Sequence, residues 1–170
     1  ASVDPANMEA EYRNIQDVPL DNYDAVLACI PDEPKIKILR YCINNQKHVL
    51  VEKPLWAAED EEIKELEKLA QAKGIVCYTA YNHRFEPHFM RMHDLIKSGE
   101  LGQIYSCRMF YGNGTARLVR DSAWRDQGAG VLPDLGSHLL DTCRYWFDSD
   151  IGSFDLSSAH CFENKTPDHV

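Results

Sequence analysis

Ala25-Val26-Leu27-Ala28-Cys29-Ile30-Pro31 and His48-Val49-Leu50-Val51-Glu52-Lys53-Pro54 are short apolar runs that each end at a proline. The first has the composition of a strand buried on both faces of a parallel sheet. Between the two, residues 34–46 place Ile36, Leu39, Cys42 and Ile43 at helical spacing, with Pro34 suited to a first turn. The second strand is read over His48 to Val51. Working outward, Glu59 to Lys73 puts Ile63, Leu66, Leu69 and Ala70 on one stripe, with acids leading, a lysine at the end and Gly74 as the stop. Ile75 to Thr79 makes a third strand. Strands and helices that alternate with short connections predict a doubly wound α/β sheet with right-handed crossovers. Ligands of such sheets gather beyond the carboxyl ends of the strands. Pro31-Asp32, Glu52-Lys53-Pro54 and Tyr81-Asn82-His83-Arg84 are therefore expected to face one crevice.

The flanking segments read differently. The first twenty residues are polar and weakly patterned, ending in the turn-rich Pro19-Leu20-Asp21-Asn22. After residue 86, Phe89, Met92, Leu95 and Ile96 predict an amphipathic helix closed by Ser98-Gly99, and Ile104 to Tyr111 alternates like a strand. A Gly-rich stretch with Gly112, Gly114, Gly128 and Gly130 leads to a helix from about Asp134 to Phe147, and Ile151 to Phe162 returns to strand-like composition. The change of pattern predicts a second domain, with a division into residues 1–82 and 83–170.

Composition narrows the function classes. The 170 residues are 44% hydrophobic and 26% charged, as in a folded globular protein. A net charge of −9 argues against a nucleic-acid partner, whose phosphates call for a basic face. The six cysteines are widely spaced, lack a CxxC motif and mostly stand beside apolar residues. They read as buried free thiols of a reducing, cytoplasmic compartment rather than a disulfide framework or a zinc site. No run approaches the roughly 18 apolar residues of a membrane helix, so no membrane partner is expected. The first residue is Ala rather than Met, which leaves a longer protein or a leader upstream open.

Several residues could carry chemistry. Lys53 follows an apolar strand and precedes a proline that cannot continue the ladder, so its ammonium is either aimed into the crevice or an ordinary surface charge. Asp134 and Asp141 stand four before and three after His138, so at least one carboxylate can lie on the helix face of the imidazole. A carboxylate there would fix the tautomer and leave the other nitrogen to take a proton; the structural alternative is an N-cap aspartate beside a helical histidine. His83, His88 and His93 are five apart and read as unrelated, unlike the i, i+4 pair of a zinc helix. Trp124-Arg125 could stack on a cofactor or sugar, or simply pack with a snorkelling charge. Gly112-Asn113-Gly114-Thr115-Ala116-Arg117 begins like a dinucleotide fingerprint but has arginine at the third glycine, and reads as a loop.

Taken in order, Ile30-Pro31-Asp32, His48 to Pro54 with its Glu-Lys-Pro, Tyr81-Asn82-His83-Arg84-Phe85 and Asp134-Leu135-Gly136-Ser137-His138-Leu139-Leu140-Asp141 closely resemble the Gfo/Idh/MocA oxidoreductase family. The resemblance covers residues 24–147. It implies the remaining part of a Rossmann-type doubly wound parallel sheet, followed by part of an α+β domain with an open, mainly antiparallel sheet. It also implies hydride transfer between NAD or NADP and a sugar, inositol or related polyol, in a homo-oligomer assembled through the open sheet. By resemblance, Lys53 touches the reacting hydroxyl and the nicotinamide region, Asp134 orients substrate and base, and His138 transfers the proton. Pro31, Asp32, Glu52, Asn82, Trp124 and Arg125 are implied to lie near the cofactor, and no metal is implied.

The departures from the family pattern also carry expectations. The family opens with a Gly-rich turn and a ribose-reading acid, and neither stands before Asp24, so roughly sixty or more residues are expected upstream and the chain alone is expected to bind NAD(P)H weakly or not at all. Ile30 stands where threonine is common, and Lys35 where the family often has histidine. The alternatives to catalysis are a nucleotide-sensing regulatory or partner-binding member of the family, and an inactive half that pairs through its open sheet.

Overall fold

Three strands in the order of the chain form a parallel sheet in the computed structural model: β1 (Ala25–Ala28), β2 (His48–Val51) and β3 (Cys77–Thr79). The structure describes all residues except 58, 113, 115, 123–125, 127, 150 and 154, together with the side chains of 60, 116 and 117. It divides into two units, Ala1–Ala80 and Tyr81–Val170.

In the first unit α1 (Asp32–Asn44) connects β1 to β2, and α2 (Asp60–Lys73) connects β2 to β3. Asp32 and Glu33 fill the first turn of α1, where carboxylates meet the positive end of the helix dipole. Gly74 closes α2 in the left-handed region at φ 65°, a conformation that costs glycine little. Ala28, Leu39, Cys42, Ile43, Val49, Val51, Leu66 and Ala70 form the core between the helices and one face of the sheet.

The other face overturns the expectation of a strand buried on both sides. Leu27, Leu50 and Tyr78 stand in register across the three strands, and Leu27 is 68% exposed. The cause is topological. A sheet that grows in one direction with crossovers of one hand puts both connecting helices on the same face, so alternate residues lie bare on the other. β1 is also shorter than its apolar run, because the Glu52 amide donates to the Ala28 carbonyl (3.0 Å) as the last bond before the chain leaves for α1. At the start of the third strand, the Val76 amide donates to His48 Nδ1 (3.0 Å) instead of a neighbouring backbone, and β3 begins at Cys77.

The named elements of the second unit are helical among its described residues. α3 (Pro87–Ser98) has proline at its start and Gly99 at φ 76° past its end. After α4 (Ala116–Arg120), a π-type turn over Leu132–Gly136 runs into α5 (Ser137–Phe147). α3 and α5 are joined by the Trp146 indole donating to the Phe89 carbonyl (3.0 Å) and by His93 stacked on Tyr145 (4.4 Å). The strand expected over 104–111 pairs with nothing among the described residues, and Tyr105 and Phe110 are exposed. An alternating sequence becomes a strand only when another strand supplies its hydrogen bonds. Among the described residues of 151–162 there is likewise only an isolated antiparallel bridge, His160 to His169.

The six cysteines are free, but burial holds for fewer than the sequence suggests: Cys42 is fully buried and Cys77 and Cys143 half-buried, whereas Cys29, Cys107 and Cys161 are exposed. Among the described residues no helix is long and apolar enough to cross a membrane.

Candidate functional site

The carboxyl rim of the parallel sheet collects four of the residues singled out in the sequence. Ala28 pairs with Val51 at the ends of β1 and β2. Pro31 stands immediately before α1 and Asp32 is its first residue, while half-buried Glu52 and Lys53 follow β2 directly. The buried residue that organises this rim is Lys35, only 1% exposed. Its ammonium donates to Asp32 Oδ1 at 2.7 Å and to the carbonyl of Pro54 at 2.8 Å. One charge thereby ties the first turn of α1 to the residue after Lys53. An ammonium withdrawn from water this completely persists only when it is paired and hydrogen-bonded, and both conditions are met here. Sequence reading noted Lys35 only as a departure from the family pattern. A usable signal was present: Lys35, Leu39 and Cys42 are spaced i, i+4, i+7 and share the buried face of α1.

The second unit builds a separate constellation around His138, which is 7% exposed near the start of α5. Thr142 Oγ1 donates to the His138 carbonyl at 2.7 Å, one turn along the helix. The imidazole lies face to face with that of His83, with centroids 4.4 Å apart and planes inclined by 28°. Tyr81 and Tyr111 meet it edge-on, each at 5.8 Å. Asp134 lies partly buried in the π-type turn that precedes α5, a distortion often found at functional sites.

Of the two carboxylates expected near the imidazole, Asp141 has another partner. Arg84 Nε and Nη2 donate to its two oxygens at 2.8 and 2.6 Å, a bidentate pair with the carboxylate buried. The Arg84 guanidinium also lies over the Tyr145 ring at 5.5 Å. Burial raises the Tyr81 phenol above its usual range, and the Asp141 charge adds to the rise; the nearby Ser137 hydroxyl and the Arg84 and Arg144 charges oppose it. Tyr81 therefore stays protonated across the neutral range.

Asn82 is exposed at the start of a short 3₁₀ turn, Asn82–Phe85. Trp124 and Arg125 lie outside the described residues, as do Asn113 and Thr115 of the glycine-rich stretch. The spaced histidines do not cluster with one another: His88 is exposed and His93 stacks on Tyr145. His83 nevertheless finds a partner that spacing could not show, because His138 is distant in the sequence and the stacking is set by the packing of the 82–85 turn on α5.

The parallel sheet with crossover helices is a Rossmann-like α/β arrangement, and comparison with known proteins agrees. Residues 3–81 match the model of an oxidoreductase family with an NAD-binding Rossmann fold, and residues 89–170 match the GFO/IDH/MocA C-terminal domain. The chain belongs to the Gfo/Idh/MocA oxidoreductase family. An uncharacterized oxidoreductase of Schizosaccharomyces pombe is 33% identical over 135 residues, which cover 76% of this chain and 36% of that protein. Among solved structures, levoglucosan dehydrogenase in complex with NADH and levoglucosan is 29% identical with a TM-score of 0.67, covering 81% of this chain and 39% of the other. An inositol dehydrogenase homolog from Azotobacter vinelandii, complexed with NADH and myo-inositol, is 28% identical with a TM-score of 0.63, covering 74% and 33%. The chain thus spans little more than a third of the length of these relatives.

Proposed function

We propose that this chain provides the catalytic residues of an NAD(P)-dependent oxidoreductase that acts on the CH–OH group of a sugar, inositol or related polyol. Residues 1–82 belong to its dinucleotide-binding domain and residues 83–170 to its substrate domain. The observation that carries this reading is the Glu52-Lys53-Pro54 motif at the carboxyl rim of a parallel sheet, anchored through Lys35. The two solved relatives named above support the substrate class, since one is a complex with NADH and levoglucosan and the other a complex with NADH and myo-inositol.

The rim suits the polar, sugar-bearing end of a dinucleotide. Asp32 offers a half-exposed carboxylate held in place by Lys35, and Glu52 and Lys53 add a further acceptor and donor. Pro31, Asp32, Glu52, Asn82, Trp124 and Arg125 would lie against the cofactor. When bound, the nicotinamide supplies the hydride acceptor or donor. The work left to the protein is electrostatic and protonic. Lys53 stabilises the negative charge that develops on the substrate oxygen, His138 takes the hydroxyl proton, and Asp134 orients them. Burial of His138 among aromatic rings keeps water from competing for that proton.

The test, in the complete protein, is NAD(P)H formation with inositols, anhydrosugars and simple aldoses, each offered with NAD and with NADP. Lys53→Ala is expected to lower kcat by roughly 10² to 10³, as for loss of other preorganised charge stabilisers. Full activity in both Lys53→Ala and His138→Asn would overturn the assignment.

A further inference from the structure

Gly128 and Gly130 have no role in the reading above, yet both adopt left-handed backbone, at φ 63° and 59°. At Gly130 the space is taken as well. A Cβ there would overlap the Pro167 carbonyl oxygen and stand 2.9 Å from the Pro167 nitrogen. Glycine lets the two backbones meet, on grounds of both conformation and room. The meeting carries a bond: the Val131 amide donates to the Pro167 carbonyl at 2.8 Å. Val131 stands immediately before the π-type turn, where amides find no partner within the helix, so Pro167 satisfies one of them.

Residues 160–169 reach this point as a strap that holds its own shape. His160 and His169 exchange two backbone bonds (2.8 and 3.2 Å), and Asp168 accepts the amides of Phe162, Glu163 and Asn164 at 2.9, 2.6 and 3.0 Å. Asp126 grips the strap from the other segment. Its Oδ2 accepts the Lys165 amide at 3.0 Å, and its Oδ1 accepts the amide and the hydroxyl of Thr166 at 2.9 and 2.7 Å. The Thr166 hydroxyl and the Lys165 amide hold the Asp126 carboxyl below its ordinary range, so the grip is made by a carboxylate.

We propose that Asp126 and Gly130 are positioning residues: they hold residues 165–167 against the chain ahead of α5 and so fix where the π-type turn that carries Asp134 begins. A π-type turn closes i→i+5 bonds and is rare beside the α-helix, so a segment released from its anchor relaxes toward α-helical bonding. One residue of register in a helix is roughly 100° of rotation. The same relaxation would swing Asp134 away from its present direction relative to His138. The strap therefore acts through Asp134, which keeps the orienting role in the reaction.

The positioning role rests on the proposed oxidoreductase activity; the hold of the strap on the turn does not. Two measurements separate them. The first is amide exchange in the whole chain, comparing the parent with Asp126→Asn, Thr166→Val and Gly130→Ala. Asp126→Asn turns one acceptor into a donor that faces an amide, and is expected to speed exchange over residues 131–136 by about tenfold while residues 89–97 of α3 keep the parent rate. Thr166→Val removes one bond of the three and is expected to give about threefold. Gly130→Ala should match or exceed Asp126→Asn; if it does not fold, the other two variants decide. Exchange over 131–136 that is unchanged in Asp126→Asn, or raised equally over α3, overturns the proposal.

The second measurement is turnover in the complete protein. Asp126→Asn is expected to lower kcat about tenfold, leave KM for the polyol within about twofold and raise the solvent deuterium isotope effect, because a swung Asp134 slows the proton-transfer step. A role in stability alone would lower the active fraction and leave the isotope effect at the parent value. Faster exchange in the variant with no turnover in the parent would sink the activity reading and leave the strap standing. Parent turnover whose isotope effect Asp126→Asn does not move would sink the positioning role.

Discussion

Both units pair a cation with a carboxylate beside a residue assigned to chemistry, and they use the pair differently: Lys35 is the buried member of one and Asp141 of the other. In the first, the Lys35 ammonium grips backbone and side chain at once, joining the Pro54 carbonyl to Asp32. In the second, the Arg84 guanidinium grips the Asp141 carboxylate with both of its facing donors. A compact ammonium on a flexible stem suits a gap between a helix turn and a loop, whereas a planar guanidinium suits a carboxylate. The difference shows what each region must hold: a strand-end loop, whose position is a backbone matter, and a helix packed against a short turn, whose position is set by side chains.

The sharpest way to break this comparison is Arg84→Met. It leaves the buried Asp141 carboxylate without its guanidinium and is expected to cost about 3 kcal/mol of stability, read from the denaturant midpoint of the chain. It should also disturb the ring resonances of His83 and His138, since the 82–85 turn is tied to α5 through this pair. A loss under about 0.5 kcal/mol, the scale of an ordinary surface substitution, would mean that the pair is solvated and organises nothing.

Lys35 gives the next largest effect and separates packing from charge. Lys35→Ala removes the stem from the core and the donor from Pro54, with an expected cost of roughly 2–3 kcal/mol. Lys35→Met keeps the stem volume and is expected to recover about half of that, while amide exchange over residues 52–57 stays faster than in the parent. Equal exchange in the parent and Lys35→Met would show that the ammonium does not hold the loop.

The smallest effect concerns thiols and extends the contrast to the cores. Burial, with a smaller contribution from neighbouring Cys77, raises the Cys42 thiol from 9.0 to about 11. Because the folded value is the higher one, the neutral thiol supports the fold below pH 9 and that support is lost as pH rises through 11. Cys42→Ala is expected to flatten this alkaline loss of stability, measured by unfolding at stepped pH. A thiol reagent should modify Cys29, Cys107 and Cys161 well before Cys42. Early modification of Cys42 would show that the core under the sheet opens readily.

Much of the first unit was legible because its signals are local. Helical spacing of Leu39, Cys42 and Ile43, the His48–Val51 run and the stop at Gly74 each act within one element, and each element forms, the first helix two residues earlier, at Asp32–Asn44, than the 34–46 read from sequence. The second unit was less legible. The amphipathic pattern of α3 and α5 was plain, but the alternation over 104–111 predicts a strand only if a partner strand lies beside it. Lys35 was partly legible from its place on the buried stripe, and His83 was not, since its stacking depends on two segments far apart in sequence.

The order of strands and helices in the first unit, the family motifs and the placement of Glu52-Lys53-Pro54 at a strand end were determined by sequence alone, because backbone periodicity and turn chemistry depend on neighbours along the chain. Tertiary structure alone decided that one face of the sheet is bare, that Asp141 belongs to Arg84, and that His138 lies on His83. Those outcomes depend on which distant side chains meet when helices settle on a sheet or on one another, and no local pattern encodes the meeting.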